Sequence, residues 1–103
     1  MSLIPHLAEL HITTTEPAVT TILYRMFHLP FIAKKKQIME ITFPEGDHYE
    51  SFWATVSHTH YVLEKGVQVM WMEPEEGDSP TNMEAEYIAD LLSVGWSLTD
   101  PLR

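Results

Sequence analysis

The residues of this chain best suited to chemistry are His58 and His60, separated by a single threonine in the run Val56-Ser57-His58-Thr59-His60-Tyr61-Val62. Residues two apart in an extended strand project from one face, so two imidazoles at this spacing can share a metal ion. Glu64 offers a carboxylate four residues further on, and His48 or His11 could join if the fold brings them near. Zinc or iron requires a third and usually a fourth ligand. The sequence therefore suggests no cofactor, with a divalent transition metal on His58, His60 and Glu64 as the alternative. Two histidines near a hairpin end that face solvent or hydrogen-bond their neighbours explain the same pattern without metal.

The stretch from His58 to Gly66 resembles the first motif of the cupin barrels, in which two histidines one residue apart precede a glutamate, here Glu64. That resemblance covers nine residues of 103, and the glycines that frame the motif are not in place. Other catalytic patterns are missing. There is no cysteine, which excludes disulfides, a thiolate nucleophile and cysteine-based zinc sites. The serines sit in no nucleophile motif, and four glycines form no phosphate-cradling loop. The expectation is a protein that is not an enzyme.

Charge is the stronger signal. No Lys or Arg occurs between Gly66 and Leu102, while Glu73, Glu75, Glu76, Asp78, Glu84, Glu86, Asp90 and Asp100 fall there, in a chain of formal net charge −9. Such a balance repels phosphate backbones and anionic membranes and favours cationic surfaces. The expected function is a small acidic interaction domain, of the kind an inhibitor or regulator uses, with Glu73, Glu75, Glu76, Asp78, Glu84, Glu86 and Asp90 turned toward a basic partner surface. In size and charge the chain resembles inhibitors of nucleases. Direct nucleic-acid binding and membrane binding are not expected, and cytoplasmic localisation is. The alternative function is a metal- or small-ligand-binding module built on His58 and His60. Lys34-Lys35-Lys36, the one basic cluster, solvates the approach to a strand or guards a sheet edge.

These side chains must be positioned by local structure. Residues 7–13 and 39–43 alternate with a period of two, which predicts strands. Thr15-Glu16-Pro17 reads as a helix start, and Val19, Ile22, Leu23, Met26 and Phe27 follow at helical spacing, so a helix is predicted up to His28. Residues 49–62 and 67–71 form a β-hairpin around Glu64-Lys65-Gly66. In the first of these strands, alternation places Phe52, Ala54, Val56, His58, His60 and Val62 on one face. Thr81 and Glu84 match a capping box, and Gly95 sits where a left-handed residue should close a second helix, with Trp96 folding back on Leu91.

The fold class expected is α+β: a small antiparallel sheet of three to four strands with two helices packed on one face, in the order β-α-β-β-β-α. The α-β-β-β-α part of this order resembles double-stranded RNA-binding domains, but Glu84, Glu86 and Asp90 stand in the last helix where such a domain needs cations. With 103 residues and 45% hydrophobic content, residues 1–103 make one domain, with irregular ends at 1–6 and 97–103. A single helical layer leaves one sheet face bare. Trp53, Met70 and Met72 are the candidates for an apolar interface there, closed by a homodimer or another protein.

Overall fold

A computed structural model describes residues 2–15, 18–75 and 85–103. Five strands form one curled mixed sheet: β1 (Ile4–Thr15), β2 (Ala18–Leu29), β3 (Ile38–Glu45), β4 (His48–Val62) and β5 (Val67–Pro74), followed by one helix, α1 (Ala85–Leu92). The strand order is β2-β1-β5-β4-β3. All pairings are antiparallel except that of β1 with β5, which is parallel. The expected α+β arrangement of three to four strands and two helices is thus corrected to a mostly β fold.

The first of the two expected helices is strand β2, paired with β1 along its whole length from Thr15↔Ala18 to Ile4↔Leu29. The reason lies in its residues. Val19-Thr20-Thr21-Ile22 is a run of four β-branched side chains, and Tyr24 and Phe27 add aromatic bulk; both types lose rotamer freedom against a helical turn and suit a pleated surface. The apparent helical stripe divides between two faces. Leu23 and Phe27 lie on the side of the main core, and Ile22 and Met26 on the other, as their β1 partners show. The helix start read at Thr15-Glu16-Pro17 involves residues 16 and 17, which lie outside the described residues.

The expected strands at 7–13 and 39–43 and the hairpin of β4 with β5 are present. The second expected helix exists as α1, though its capping box at Thr81 and Glu84 lies outside the described residues. Its end is built as the sequence suggests. Gly95 has φ 107°, Trp96 N–H donates to the Leu91 carbonyl at 3.3 Å, and both side chains are buried in one cluster. This is the bond pattern of a Schellman ending, which satisfies a carbonyl that the helix leaves free.

The inner sheet face carries the main core: Leu10, Ile12, Leu23, Phe43, Phe52, Val56 and Met72 lie beneath Leu91 and Trp96. Helix α1 covers the β3 side, where Tyr87 packs edge-on against Phe43 with ring centroids 5.5 Å apart. On the outer face Leu7, Val67 and Val69 form a smaller cluster with Tyr24, Met26 and Leu102. Residues 97–103 belong to no named strand or helix, yet both ends of the chain contact the sheet. Strand β1 begins at Ile4, Ser97 exchanges two backbone hydrogen bonds with Tyr24 on the β2 edge, and Leu102 packs on the outer cluster.

Between β2 and β3 the chain crosses from one edge of the sheet to the other in residues 30–37. Strands about 4.8 Å apart put the two edges of a flat five-stranded sheet roughly 19 Å apart, within reach of eight extended residues. The crossing is pinned halfway. Ala33 is buried in the main core, and its N–H donates to His6 Nε2 at 3.0 Å. His6 is fully buried, and its Nδ1 bonds the Ile4 carbonyl at 2.8 Å. Both ring nitrogens are thus committed, with the proton on Nδ1.

Candidate interaction face

Strand β4 contains the feature that decides which residues meet solvent together. Val56 pairs with Met72 and His58 with Trp71, so Ser57 is an extra residue in the ladder, a β-bulge. Before it, Phe52, Ala54 and Val56 point to the inner core. After it, His58, His60 and Val62 point to the outer face with Trp71, Val69 and Val67. The single face expected for all six is corrected to two faces. The hydroxyl of Ser57 serves the bulge, donating to the Trp71 carbonyl at 3.3 Å while lying 3.2 Å from His58 Nδ1.

The bulge builds a row of rings across three strands. Trp71 of β5 lies between His11 of β1, stacked at 4.1 Å with the planes 17° apart, and His58 of β4, tilted at 5.1 Å. His11 Nε2 and Trp71 Nε1 are both closed off from solvent with no hydrogen-bond partner among the described residues. Burial accordingly holds the His11 pKa below its usual 6.5, opposed by the Glu73 carboxylate. Stacking uses the indole faces, so this row is a packed, rigid platform in the sheet.

His60 lies beyond the row, in an open cleft of about 300 Å³ that also contains Glu9, Glu64, Lys65, Asp100 and Arg103. Burial first, and then Asp100, raise the Glu9 pKa above 4.5, while His60 and Arg103 pull it down. The same burial, with Glu9 and Asp100, raises the Tyr24 phenol above 10.0, and Arg103 opposes this. His58 is separated from this cleft along the strand. Among the described residues no three His, Asp or Glu side chains converge closely enough to hold a metal ion. The candidates His58, His60 and Glu64 are thus brought to one region without being brought to one point.

The three residues expected to form an apolar interface do not share a face. Met70 and Met72 are in the inner core at 3% and 2% exposure, because they pair in register with Ala8 and Leu10 beneath the helical layer. Trp53 is on the outer face and 45% exposed. Its surroundings are acidic. Glu40 is its direct cross-strand partner on β3, and Glu75 N–H donates to the Trp53 carbonyl at 2.8 Å. The Glu75 carboxylate accepts a hydrogen bond from Thr55 at 2.8 Å, and Glu73 pairs across from Thr55.

Glu86 and Asp90 belong to α1, the helix whose Tyr87, Ile88 and Leu91 pack on the main core. Glu76, Asp78 and Glu84 lie outside the described residues. Sequence reading missed Glu40 and Glu9 as companions of the acidic stretch. Both sit on the outward beat of a strand alternation, which was the available signal. Of the six basic residues, Arg25 is on the inner face, Lys34, Lys35 and Lys36 precede β3, Lys65 is in the β4–β5 turn and Arg103 ends the chain. The outer-face positions of the five strands contain neither Lys nor Arg.

No helix among the described residues is long and apolar enough to cross a membrane. Comparison with protein-family models, with curated proteins and with solved structures finds no match to this chain.

Proposed function

We propose that this protein is an acidic interaction domain whose outer sheet face docks a basic partner surface, with Trp53 as the anchor. The observation that carries the reading is the setting of Trp53: an exposed indole with Glu40 across the ladder and Glu73 and Glu75 at the adjoining strand end. An indole face attracts an Arg or Lys side chain laid over it, and carboxylates around it complete the recognition of a cation. Aromatic residues in such positions are frequent hot spots, and surrounding charges set the association rate. The stretch that follows Glu73 extends the same sign of charge through Glu75, Glu76 and Asp78.

The test is affinity capture of a partner by the wild-type chain, then stopped-flow association of the purified pair. Replacing Glu40 and Glu73 by Gln should slow association several-fold and flatten its salt dependence. Trp53→Ser should speed dissociation by about tenfold, as loss of a central aromatic anchor does. Unchanged kinetics in both variants would remove the outer face from the reading. A captured partner with no basic surface would remove the function itself.

A further inference from the structure

Strand β3 is an edge of the sheet, and no described residue pairs with its outer side. The ladder with β4 shows which groups are left open. Lys36 N–H donates to the Val56 carbonyl at 2.7 Å and Val56 N–H donates to the Gln37 carbonyl at 2.9 Å, with Lys36 at φ 75°. Two residues opposite one, the first left-handed, make a bulge of the G1 type. From Val56 the alternation continues, so Met39, Ile41 and Phe43 bond to β4, and Ile38, Glu40, Thr42 and Pro44 turn their backbone groups outward. The one proline of the strand falls on this outward side, where a missing N–H breaks no bond of the ladder.

We propose that β3 pairs antiparallel with β3 of a second copy of this chain, about a two-fold axis at Ile41. Two five-stranded sheets then join as one. Three features of the edge favour a copy of itself as the occupant. Charge is arranged with opposite signs at the two ends: Lys34 and Lys35 precede the strand and Asp47 follows it. Antiparallel pairing centred on Ile41 sets Glu40 of one copy opposite Thr42 of the other, and brings the Lys34-Lys35 turn that precedes β3 to the same end as the other copy's Gly46-Asp47 turn. Slipping the register by one ladder pair in one direction brings Glu40 onto its own counterpart, and in the other it shortens the overlap of the two open segments, so the register centred on Ile41 is favoured.

Apolar groups agree. The same register sets Ile38 opposite Pro44 of the other copy, whose cross-strand neighbour within its own sheet is Tyr49. Ile38 and Tyr49 are 49% and 76% exposed in the single chain, and pairing brings them onto one strip of the outer face. The open segment is also finite, ended by the Lys36–Gln37 bulge on one side and Pro44 on the other. At the opposite edge Ser97 occupies part of β2. An isologous contact of this kind closes at two copies and does not propagate.

Sedimentation equilibrium over a range of concentrations tests the proposal, with amide hydrogen exchange as the site-specific readout. The wild-type chain should form dimers, and the Glu40 and Thr42 amides should gain protection as concentration rises. Lys35→Asp should raise the dimer dissociation constant severalfold, as should Asp47→Lys, since each places like charges in the two turns that meet at the ends of the joined strands. The double exchange of both residues should return it to within about threefold of wild type. Thr42→Pro removes an outward N–H and should give a folded monomer. A wild-type chain that stays monomeric to about millimolar concentration would overturn the proposal, as would a dimer in which the double exchange rescues nothing or the Glu40 and Thr42 amides stay unprotected.

Discussion

His58 stands directly across the β4–β5 ladder from Trp71, their ring centroids 5.1 Å apart, because the pairing passes over Ser57. One residue earlier, Val56 still faces Met72 in the inner core. The register step at Ser57 is what sends two polar imidazoles outward and leaves only apolar side chains beneath the helix.

Deleting Ser57 removes the unpaired residue and joins Val56 to His58 in a regular ladder opposite Met72 and Trp71, so His58 and His60 should keep facing outward and the loss of stability should stay below about 2 kcal/mol. Ser57→Ala keeps the extra residue and gives up one hydroxyl bond, so its cost should stay within about 1 kcal/mol. Urea unfolding of the two variants makes the comparison. A loss on deletion far above that of Ser57→Ala would show that the ladder cannot close without the extra residue.

His6 joins the crossing segment to β1 through two hydrogen bonds, one to Ala33 N–H and one to the Ile4 carbonyl. His6→Leu should leave these backbone groups buried without partners and destabilise the fold by about 2–4 kcal/mol. Exchange at the Ala33 amide should quicken by more than the global change. If that amide keeps its relative protection, the crossing is held by packing alone.

Stability should depend on pH through Glu9 and His11 with opposite signs. The Glu9 pKa is raised from 4.5, so above 4.5 the folded chain holds this proton more tightly than the unfolded chain, and stability falls as pH rises through that window. Glu9→Gln should abolish the fall and raise Tm at pH 7, with no difference near pH 4. The His11 pKa is lowered from 6.5, so the unfolded chain takes up the proton first and stability falls as pH drops through 6.5. His11→Phe should keep the stack on Trp71 and remove this acid loss. Thermal melts from pH 4 to pH 8 report both.

Gly95 holds φ 107°, and a Cβ there would come within 3.3 Å of the Arg25 guanidinium. Gly95→Ala should cost about 1–2 kcal/mol through the left-handed backbone and the displaced side chain. Circular dichroism melts give the number. Releasing the crowding with Arg25→Ala in the same chain should recover only the part due to contact.

Those features of the fold that depend on neighbours in sequence were legible in it. The β4–β5 hairpin, the alternation in β1 and β3, and the ending of α1 at Gly95 and Trp96 all follow from local turn chemistry and periodicity. Strand β2 was not, because Val19, Ile22, Leu23, Met26 and Phe27 satisfy a helical stripe while their β-branched and aromatic neighbours favour extension, and the contest is decided by the long pairing with β1. The outer face was legible only in part. Alternation alone cannot reveal an inserted residue, so by sequence His58 and His60 fall with Val56, and Met70 and Met72 with Trp53. The acidic setting of Trp53 depends on Glu40, which only the β3–β4 register brings to it.

The parallel contact of β1 with β5 joins residues 6–10 to residues 68–72. During synthesis the hairpin of β1 and β2 therefore emerges from the ribosome with one side of β1 open, and it stays so until the chain has been made through Pro74, 45 residues beyond Leu29. Closing a loop of that length makes the docking of β5 the natural slow event of folding. A truncated chain ending before Val67 would keep the bare strand permanently, and self-association of such fragments is the expected hazard of interrupted translation.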